Sequence, residues 1–352
     1  MPDPLPPGST LGVLGGGQLG RMFCHAAQRH GYRVRCWGQD ADEPAVRAAD
    51  ACTVAPFEDD AAGEQFAAAV DAVTVEFENI PAATLERLAE AGLPVRPGAR
   101  VLAVAQDRRE EKRTAAEAGF ATAPWREVST VEQATATPTV GRPAILKTAR
   151  DGYDGKGQIR LTDDDDLLPA WDTLDRVPCV LEGRVEFALE LSAVAARWPD
   201  GTVRVHGPFE NGHAKGVLDV TQFPAKVDPV VTAEAKLIAA GMAEALEVVG
   251  LLTTELFLTH SGELVVNELA PRPHNSGHVT IEACGVSQFD QQVRVTAGLP
   301  PGDPAPRSAG AMANLLGDLW PSSPGKGGEP DWPGTLAAPD RPAAGRRSRG
   351  PA

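Results

Sequence analysis

The stretch PAILKTARDGYDGKGQIRL, residues 143–161, decides the fold class of the central part of this chain. Its apolar run ends at Lys147, a glycine-rich loop follows, and QIRL begins a second strand. Such a loop allows backbone N–H groups to cover phosphates, while the lysine supplies a positive charge. The loop joins two strands and lacks the Walker A spacing, so the pattern excludes a P-loop fold and favours nucleotide binding over a flexible surface hairpin. Tyr153, a bulky residue inside the loop, predicts a substrate contact.

A second informative stretch is LLTTELFLTHSGELVVNELAPRPHNSGH, residues 251–278, which predicts two strands around a Ser-Gly turn. With a two- or four-residue loop, Glu255 and Glu268 share one face of the hairpin, whereas an odd-length loop separates them. Facing carboxylates repel unless a cation lies between them, and Mg²⁺ takes carboxylates together with phosphate oxygens and water. The hairpin therefore predicts a magnesium site, with a solvated acidic pair as the alternative. Asn267 reaches the metal only if the strand bends there.

The loop after this hairpin is rich in hydrogen-bond donors. His274 and His278 have the spacing of zinc ligands on a helix, but the Asn-Ser-Gly between them is typical of a loop. Arg272, His274, Asn275 and Ser276 are therefore predicted to hold a small oxyanion beside the metal. A free surface loop is the alternative.

The N-terminal part alternates apolar strand-like runs with Ala-rich helical stretches over residues 11–120, which is typical of βαβ units and a parallel sheet. Gly15, Gly17 and Gly20 spell GxGxxG directly after the first strand. Taken alone, the motif favours a nicotinamide dehydrogenase with Asp40 as the ribose acid. The alternatives are a substrate anion at the helix N-terminus, or a purely structural turn.

Composition excludes several classes of protein. The 352 residues include 33 Lys and Arg against 48 Asp and Glu, a net charge of -15 that opposes a sequence-independent grip on nucleic acid. The sequence contains neither an apolar run of about 18 residues nor a signal-peptide pattern, which predicts a soluble cytoplasmic protein without membrane contact. The five scattered cysteines predict reduced core thiols.

The lysine, the glycine-rich hairpin and the hairpin ending in Asn-Glu together resemble the ATP-grasp superfamily, whose two subdomains clamp ATP. Within it, the chain resembles the N5-carboxyaminoimidazole ribonucleotide synthetase family over about residues 9–320, through GGGQLGRM, TVEFENIP, DGYDGKGQ, ENGHAKGVLD and NELAPRPHNSGH. Biotin carboxylase and glycinamide ribonucleotide transformylase account less well for the last string. The resemblance implies an α/β and α+β fold: a Rossmann-like pre-ATP-grasp domain (1–115), a two-subdomain ATP-grasp domain (116–300), and a remnant of a small C-terminal domain with a disordered tail (301–352).

The resemblance also implies an activity. It is that of a ligase of purine biosynthesis, which uses ATP, bicarbonate and 5-aminoimidazole ribonucleotide to form N5-carboxyaminoimidazole ribonucleotide through carboxyphosphate. The implied cofactors are ATP and Mg²⁺, with Mn²⁺ as a substitute. A homodimer and a mutase that receives the product are the implied partners.

The resemblance assigns roles to individual residues. For ATP they are Arg108, Lys147, Gly152, Tyr153, Asp154, Gly155, Lys156, Gly157, Gln158, Glu182, Gly183, Arg184, Val185, Glu190, His213, Asn267 and Glu268, with Glu182–Val185 as the adenine hinge and Glu190 as the ribose acid. For the ribonucleotide and neighbouring substrate groups they are Gly17, Gln18, Leu19, Glu76, Tyr153, Asp154, Lys156 and Arg272. For Mg²⁺ they are Glu255 and Glu268. For bicarbonate or carboxyphosphate they are Arg272, His274, Asn275 and Ser276.

The C-terminal sequence departs from the family pattern. Family members continue into a β-rich domain whose lysine and arginine meet the ribonucleotide phosphate, whereas this sequence ends in RPAAGRRSRGPA. The expectation is weakened ribonucleotide affinity, and the alternative to an active enzyme is a nucleotide-binding but catalytically impaired ATP-grasp protein.

Overall fold

The computed structural model describes residues 3–136, 139–152, 157–162, 166–214 and 216–315. The strands are Thr10–Leu14 (β1), Arg33–Gly38 (β2), Ala51–Val54 (β3), Ala72–Val75 (β4), Trp125–Val128 (β5), Ala144–Thr148 (β6), Gln158–Leu161 (β7), Cys179–Gly183 (β8), Phe187–Arg197 (β9), Val203–Ala214 (β10), Val217–Phe223 (β11), Gly250–Thr259 (β12), Leu264–Ala270 (β13) and Gly310–Ala313 (β14). The helices are Gln18–Arg29 (α1), Pro44–Ala48 (α2), Asp60–Ala67 (α3), Ala82–Glu90 (α4), Ala99–Ala105 (α5), Arg108–Glu117 (α6), Val131–Thr135 (α7), Leu167–Thr173 (α8), Pro229–Ala245 (α9), Thr280–Ala283 (α10) and Gln288–Ala297 (α11), with a 3-10 helix at Asn275–Val279.

The first sheet is parallel, with strand order β3-β2-β1-β4. Helix α1 packs on it because Leu19, Phe23, Ala26 and Ala27 fall on one helical face and are buried. This confirms the βαβ organisation expected from the N-terminal pattern. Helix α11 adds Phe289 and its apolar neighbours to the same core, so the chain returns to the first sheet after the second.

The second sheet is antiparallel and six-stranded, with order β13-β12-β9-β10-β11-β14. Helix α9 covers one face with Ala235, Ile238, Ala239 and Met242, which repeat at helical spacing and are buried. The opposite face carries the polar side chains described below. Strand β14 extends this sheet at its β11 edge, so part of the segment expected to be a C-terminal remnant belongs to the second sheet.

The third sheet has order β5-β8-β6-β7, and the glycine-rich loop joins the antiparallel strands β6 and β7, as its sequence predicts. Lys147 and Gln158 are register partners on these strands and project from the same face. Gly157 has φ +67°, and a Cβ there would lie 2.7 Å from the hydroxyl oxygen of Thr148, so a glycine is needed. Tyr153, Asp154, Gly155, Lys156 and the tail from residue 316 lie outside the described residues.

The structure bears differently on the expected domain boundary, the expected burial of the cysteines and the expected lack of a membrane span. The domain boundary expected near residue 115 falls inside helix α6, and the three-domain division stays a prediction. Four of the five free thiols are buried, but Cys52 is exposed, so its assignment to the core was wrong. In the part of the chain that is described, none of the helices has the length and apolar character needed to span a bilayer.

Two buried histidines predict a pH-dependent stability. Burial lowers the pKa of His206 and of His278 from 6.5 to about 4. The unfolded chain therefore takes up protons first as the pH falls, and stability declines between pH 6.5 and about 4, by roughly 3 kcal/mol for each histidine. Urea unfolding at several pH values measures this decline.

The variant His206→Gln removes one of the two contributions, since its amide has no comparable titration. We expect its free energy of unfolding to fall less steeply below pH 6.5 than that of the parent. His260→Gln, on the exposed hairpin turn, is the matched control. Parallel pH profiles for the parent and His206→Gln would contradict the assignment.

Candidate active site

A cleft of about 590 Å³ opens between the second and third sheets, with helix α6 at one end. Its described lining comes from strands of the second and third sheets, from helix α6, and from loops that include those after β4 and β13. The lining residues are Glu78, Arg108, Ile145, Lys147, Gly152, Gln158, Arg160, Glu190, His213, Gly216, Val217, Leu218, Glu255, Phe257, Asn267, Glu268, Arg272, His274 and Asn275. The cleft thus gathers most of the residues predicted for ATP, metal and oxyanion binding.

Glu255 and Glu268 are register partners on β12 and β13, as the hairpin predicts. The turn, however, differs from the expected even-length loop: Thr259 donates to the Glu263 carbonyl, which leaves three residues in the loop. An odd loop would place the two carboxylates on opposite faces. A β-bulge at Asn267 shifts the pairing back by one residue and brings Asn267 to the cleft beside them.

Each of these carboxylates has a partner on the protein. Oε1 of Glu255 lies 2.9 Å from Nε2 of His274, and Oε2 of Glu268 lies 3.2 Å from a guanidinium nitrogen of Arg108. Burial opposes ionisation of Glu255, but the hydrogen bond from His274 and nearby positive charge outweigh it and lower the pKa to about 2. Glu255 is therefore a carboxylate at neutral pH.

The donor set fits Mg²⁺ bound together with phosphates. The described residues include no group of three or more His, Cys, Asp or Glu side chains that could hold a metal ion alone. Two carboxylates and an amide oxygen at one point of the cleft are hard oxygen ligands, and Mg²⁺ combines one or two carboxylates with nucleotide phosphates. A zinc site at His274 and His278 is not formed, because His274 contacts Glu255 and His278 contacts Gln18.

Helix α6 carries a stripe of charged residues on its buried face, and Arg108 of this stripe lines the cleft. Arg108, Glu111, Lys112 and Ala115 are buried and repeat at helical spacing. Oε1 of Glu111 accepts the backbone N–H of Leu269 at 2.9 Å. Burial and the neighbouring Glu268 raise the pKa of Glu111 to about 8.

Lys147 belongs to a buried ion triad. Its Nζ lies 2.7 Å from Oε2 of Glu182, and Nζ of Lys112 lies 3.0 Å from Oε1 of the same carboxylate. Burial opposes the charge of Glu182, but the two lysines outweigh it and lower its pKa to about 2. The triad holds Lys147 at the wall of the cleft.

An apolar pocket of about 400 Å³ adjoins the cleft at Lys147 and is lined by Glu182, Gly183, Arg184, Val185, Ile145, Phe187 and Phe257, among others. The last two rings stack with centroids 4.5 Å apart. The backbone N–H groups of Gly183 and Arg184 donate to Pro124 and Pro143, which fixes the strand end. A narrow apolar pocket that opens into a charged cleft suits a planar heterocycle carrying phosphates.

Glu190 lies where this pocket meets the cleft. Its carboxylate contacts Nδ1 of His213 on the neighbouring strand. Burial opposes the charge of this histidine, but Glu190 outweighs it and raises the pKa of His213. The two residues form a polar pair at one end of the apolar pocket.

The four residues predicted to hold bicarbonate separate into two groups. Arg272, His274 and Asn275 line the cleft. Arg272 is held by a bidentate pair with Glu78, one arm of which measures 3.0 Å. Ser276 is fully buried behind His274, so a direct contact between its side chain and bicarbonate does not fit this arrangement.

The N-terminal glycine motif is filled by the protein's own carboxylate. Oε1 and Oε2 of Glu76 accept the backbone N–H groups of Gly17 at 2.9 Å and Gly20 at 3.1 Å. Burial raises the pKa of Glu76 despite these two bonds. A dinucleotide pyrophosphate would need this same position, which argues against the dehydrogenase alternative. Leu19, a predicted substrate residue, has its side chain in the core.

Family models match two parts of the chain: the ribonucleotide synthetase preATP-grasp domain at residues 9–106 and the ATP-grasp domain at residues 113–289. An N5-carboxyaminoimidazole ribonucleotide synthase of Brucella melitensis is 43% identical over 317 residues, which cover 89% of this chain and 87% of that protein. The chain belongs to the N5-carboxyaminoimidazole ribonucleotide synthase family. The resemblance and the fold class expected from the motifs are thereby confirmed.

Solved structures of this synthase family share the fold. A crystal structure of an ADP complex of N5-carboxyaminoimidazole ribonucleotide synthetase has a TM-score of 0.87 at 38% identity and covers 91% of this chain and 85% of its own. The Aspergillus clavatus synthase in complex with ADP and 5-aminoimidazole ribonucleotide has a TM-score of 0.82 at 28% identity, covering 90% and 84%. The residue roles assigned above for this synthase remain predictions.

Sequence reasoning missed three residues at the site of this synthase. They are Glu78, which holds Arg272, and Glu111 and Lys112 on helix α6. A signal was available for the helix: charged residues occupy the spacing that normally carries the apolar stripe of a buried face. Such a stripe indicates a helix packed against a polar cleft.

Proposed function

We propose that this chain is an ATP-dependent ligase that carboxylates 5-aminoimidazole ribonucleotide to N5-carboxyaminoimidazole ribonucleotide, consuming bicarbonate and releasing ADP and phosphate. The observation that carries the proposal is the facing pair Glu255 and Glu268, with Asn267 bulged beside them, in a cleft joined to an apolar pocket. The names of the relatives and the ligands bound in the Aspergillus clavatus structure point the same way.

ATP is proposed to lie with its adenine in the apolar pocket beside Glu182–Val185 and its ribose toward Glu190 and His213. Lys147 and Arg108 then face the phosphates, and the glycine-rich loop covers them. Mg²⁺ held by Glu255 and Glu268, with Asn267, would neutralise phosphate charge. Mn²⁺ is proposed as a substitute, because it takes similar oxygen ligands.

The reaction needs two group transfers and no covalent enzyme nucleophile. A bicarbonate oxygen attacks the γ-phosphorus of ATP, ADP leaves, and carboxyphosphate forms. The substrate amine then attacks the carbon of carboxyphosphate, phosphate leaves, and the amine gives up a proton. Arg272, His274 and Asn275 are proposed to orient bicarbonate and stabilise the charge that develops on it.

The ribonucleotide is proposed to lie between the cleft and the N-terminal glycine motif. Arg272 lines the cleft, and Gln18 and Glu76 project from the first sheet and its helix toward the same loop region. Leu19 is proposed to contribute through its backbone and Gly17 by close approach, since the Gly17 N–H already donates to Glu76. Tyr153, Asp154 and Lys156 belong to the glycine-rich loop. This region meets both the first and the second sheets.

The test is ADP release by the full chain with Mg²⁺ and bicarbonate, measured with and without 5-aminoimidazole ribonucleotide. We expect ADP release to rise with ribonucleotide concentration, with one product molecule for each ADP. ATP binding without any ribonucleotide-dependent turnover would overturn the proposal. That outcome would favour the nucleotide-binding but impaired alternative.

The assembly and location of the protein remain part of the proposal. We propose a homodimer in the cytoplasm that hands its product to N5-carboxyaminoimidazole ribonucleotide mutase. Light scattering at working concentration measures the mass of the assembly against the 36.9 kDa of one chain. A mass of one chain would contradict the dimer.

A further inference from the structure

Both ring nitrogens of His274 are engaged by the protein, and this fixes where the ring carries its proton. The backbone N–H of Ser276 donates to Nδ1 over 3.3 Å, so Nδ1 is an acceptor and carries no proton. Nε2 lies 2.9 Å from Oε1 of Glu255, and an ionised carboxylate only accepts. A proton on Nε2 therefore lies between the ring and Glu255.

A line of buried polar groups continues behind this ring. Oγ of Ser276 lies 2.8 Å from Nδ1 of His274 and 2.7 Å from Oγ of Ser192. Nδ2 of Asn211 donates to Oγ of Ser192 over 2.8 Å, and the hydroxyl of Thr221 donates to Oδ1 of Asn211 over 3.0 Å. These four side chains are buried, on β9, β10, β11 and the 3-10 helix.

The donors in this line all point toward His274. Because Asn211 donates to Ser192, the hydroxyl hydrogen of Ser192 is left for Ser276, and that of Ser276 is left for Nδ1. If Nδ1 carried the proton instead, that proton would face the Ser276 backbone N–H. The hydroxyl groups of Ser276 and Ser192 would then have to donate in the opposite direction, away from His274. A buried donor would then lose its acceptor, which is costly for side chains as deeply buried as these.

The backbone of His274 is held as well as its ring. Oε1 of Gln288 accepts the His274 N–H at 3.0 Å, and Nε2 of Gln288 donates to the His274 carbonyl at 2.8 Å. Gln288 begins helix α11 and is fully buried. With the backbone clamped, the ring is left to be oriented by what meets Nδ1 and Nε2.

We infer that Ser192 and Asn211 are positioning residues, which act through Ser276 to hold His274 with its proton on Nε2, facing Glu255. Neither Ser192 nor Asn211 lines the cleft, so neither touches a substrate. The expected effect of these residues on kcat rests on the proposed function. The hydrogen bonds that orient His274 can be tested in the free protein, whether or not that function is correct.

The first experiment reads the ring directly in the free protein. Long-range ¹H–¹⁵N spectra of the full chain labelled in histidine, assigned with His274→Gln, distinguish a protonated Nε2 from a protonated Nδ1. We expect a protonated Nε2 in the parent and a mixture of the two forms in Ser276→Ala and Ser192→Ala. A protonated Nδ1 in the parent, or the unchanged parental form in both alanine variants, would overturn the inference.

The second experiment separates positioning from general loss of stability. We expect Ser276→Ala and Ser192→Ala to lower kcat about 10- to 100-fold with little change in KM for ATP, because both act through His274, the partner of the proposed metal ligand Glu255. In a His274→Gln background, which lacks Nδ1, Ser276→Ala should have no further effect on kcat. Additive losses in this cycle would show a merely structural role and refute the inference.

Thr84→Ala is the matched control. Thr84 is also buried and hydrogen-bonded, but its hydroxyl donates to the Phe57 carbonyl over 2.8 Å, and its helix, α4, contributes no residue to the cleft lining. It should lower the melting temperature and leave kcat at the parental value. If the parent shows no ribonucleotide-dependent turnover, the proposed function fails while the spectra still decide the form of His274.

Discussion

Replacing Glu268 by glutamine is expected to lower ribonucleotide-dependent ATP turnover about a thousandfold and to leave the fold intact. The carboxylate is one of two that face each other across β12 and β13. If Glu268 binds Mg²⁺ as proposed, the loss of its charge removes several kcal/mol of transition-state stabilisation, and about 4 kcal/mol corresponds to a thousandfold change. Stability should change little, because the variant relieves the repulsion between Glu268 and Glu111, which offsets the loss of the ion pair between Glu268 and Arg108.

Steady-state ADP release and urea unfolding of the same preparation measure the two effects. Glu263→Gln is the matched control, since it makes the same change on the same hairpin at an exposed position directly after the turn. The control should keep parental turnover. Parental turnover in Glu268→Gln would remove the metal-binding role from this carboxylate.

The second large effect concerns the buried ion triad. Glu182→Gln is expected to lower the free energy of unfolding by about 3–5 kcal/mol, because it leaves two buried ammonium groups without a counter-charge. Lys112 is 4% exposed and Lys147 is 11% exposed, so water screens neither charge well. Urea unfolding at pH 7 measures the loss.

Glu186→Gln serves as its control, because Glu186 is exposed four residues along the chain. We expect no measurable change in the control. Adding Lys112→Met to Glu182→Gln should restore part of the lost stability by removing one of the uncompensated charges. A Glu182→Gln protein as stable as the parent would mean that the triad contributes nothing to folding.

The local alternation of residues in the sequence predicted the strand–loop–strand unit and the placement of Glu255 and Glu268 on the same face of their hairpin. Both depend on residues close in sequence, where the alternation of side chains decides the face. Glu255 and Glu268 pair as predicted although the turn has three residues instead of two or four, because the odd loop and the bulge compensate one another. A bulge of one residue leaves no mark in the alternation of a short strand.

Partners far apart in sequence could not be predicted in the same way. Arg272 and Glu78 are separated by 194 residues, and Ser192 and Ser276 by 84. Contacts between such distant polar side chains depend on how the three sheets pack together. The periodicity of a single segment does not encode that packing. The buried position of Ser276 became visible only with the 3-10 helix in place.

The three-residue turn and the bulge at Asn267 together restrict how the hairpin can change in length. Strand β12 is anchored along its other edge by β9, so an insertion that leaves the turn at three residues slides β13 alone. One such residue would carry Glu268 to the far face of the sheet, whereas two would return it to the cleft. Relatives that keep both the bulge and the three-residue turn should therefore differ in hairpin length by even numbers of residues, although the tip touches none of the reacting groups.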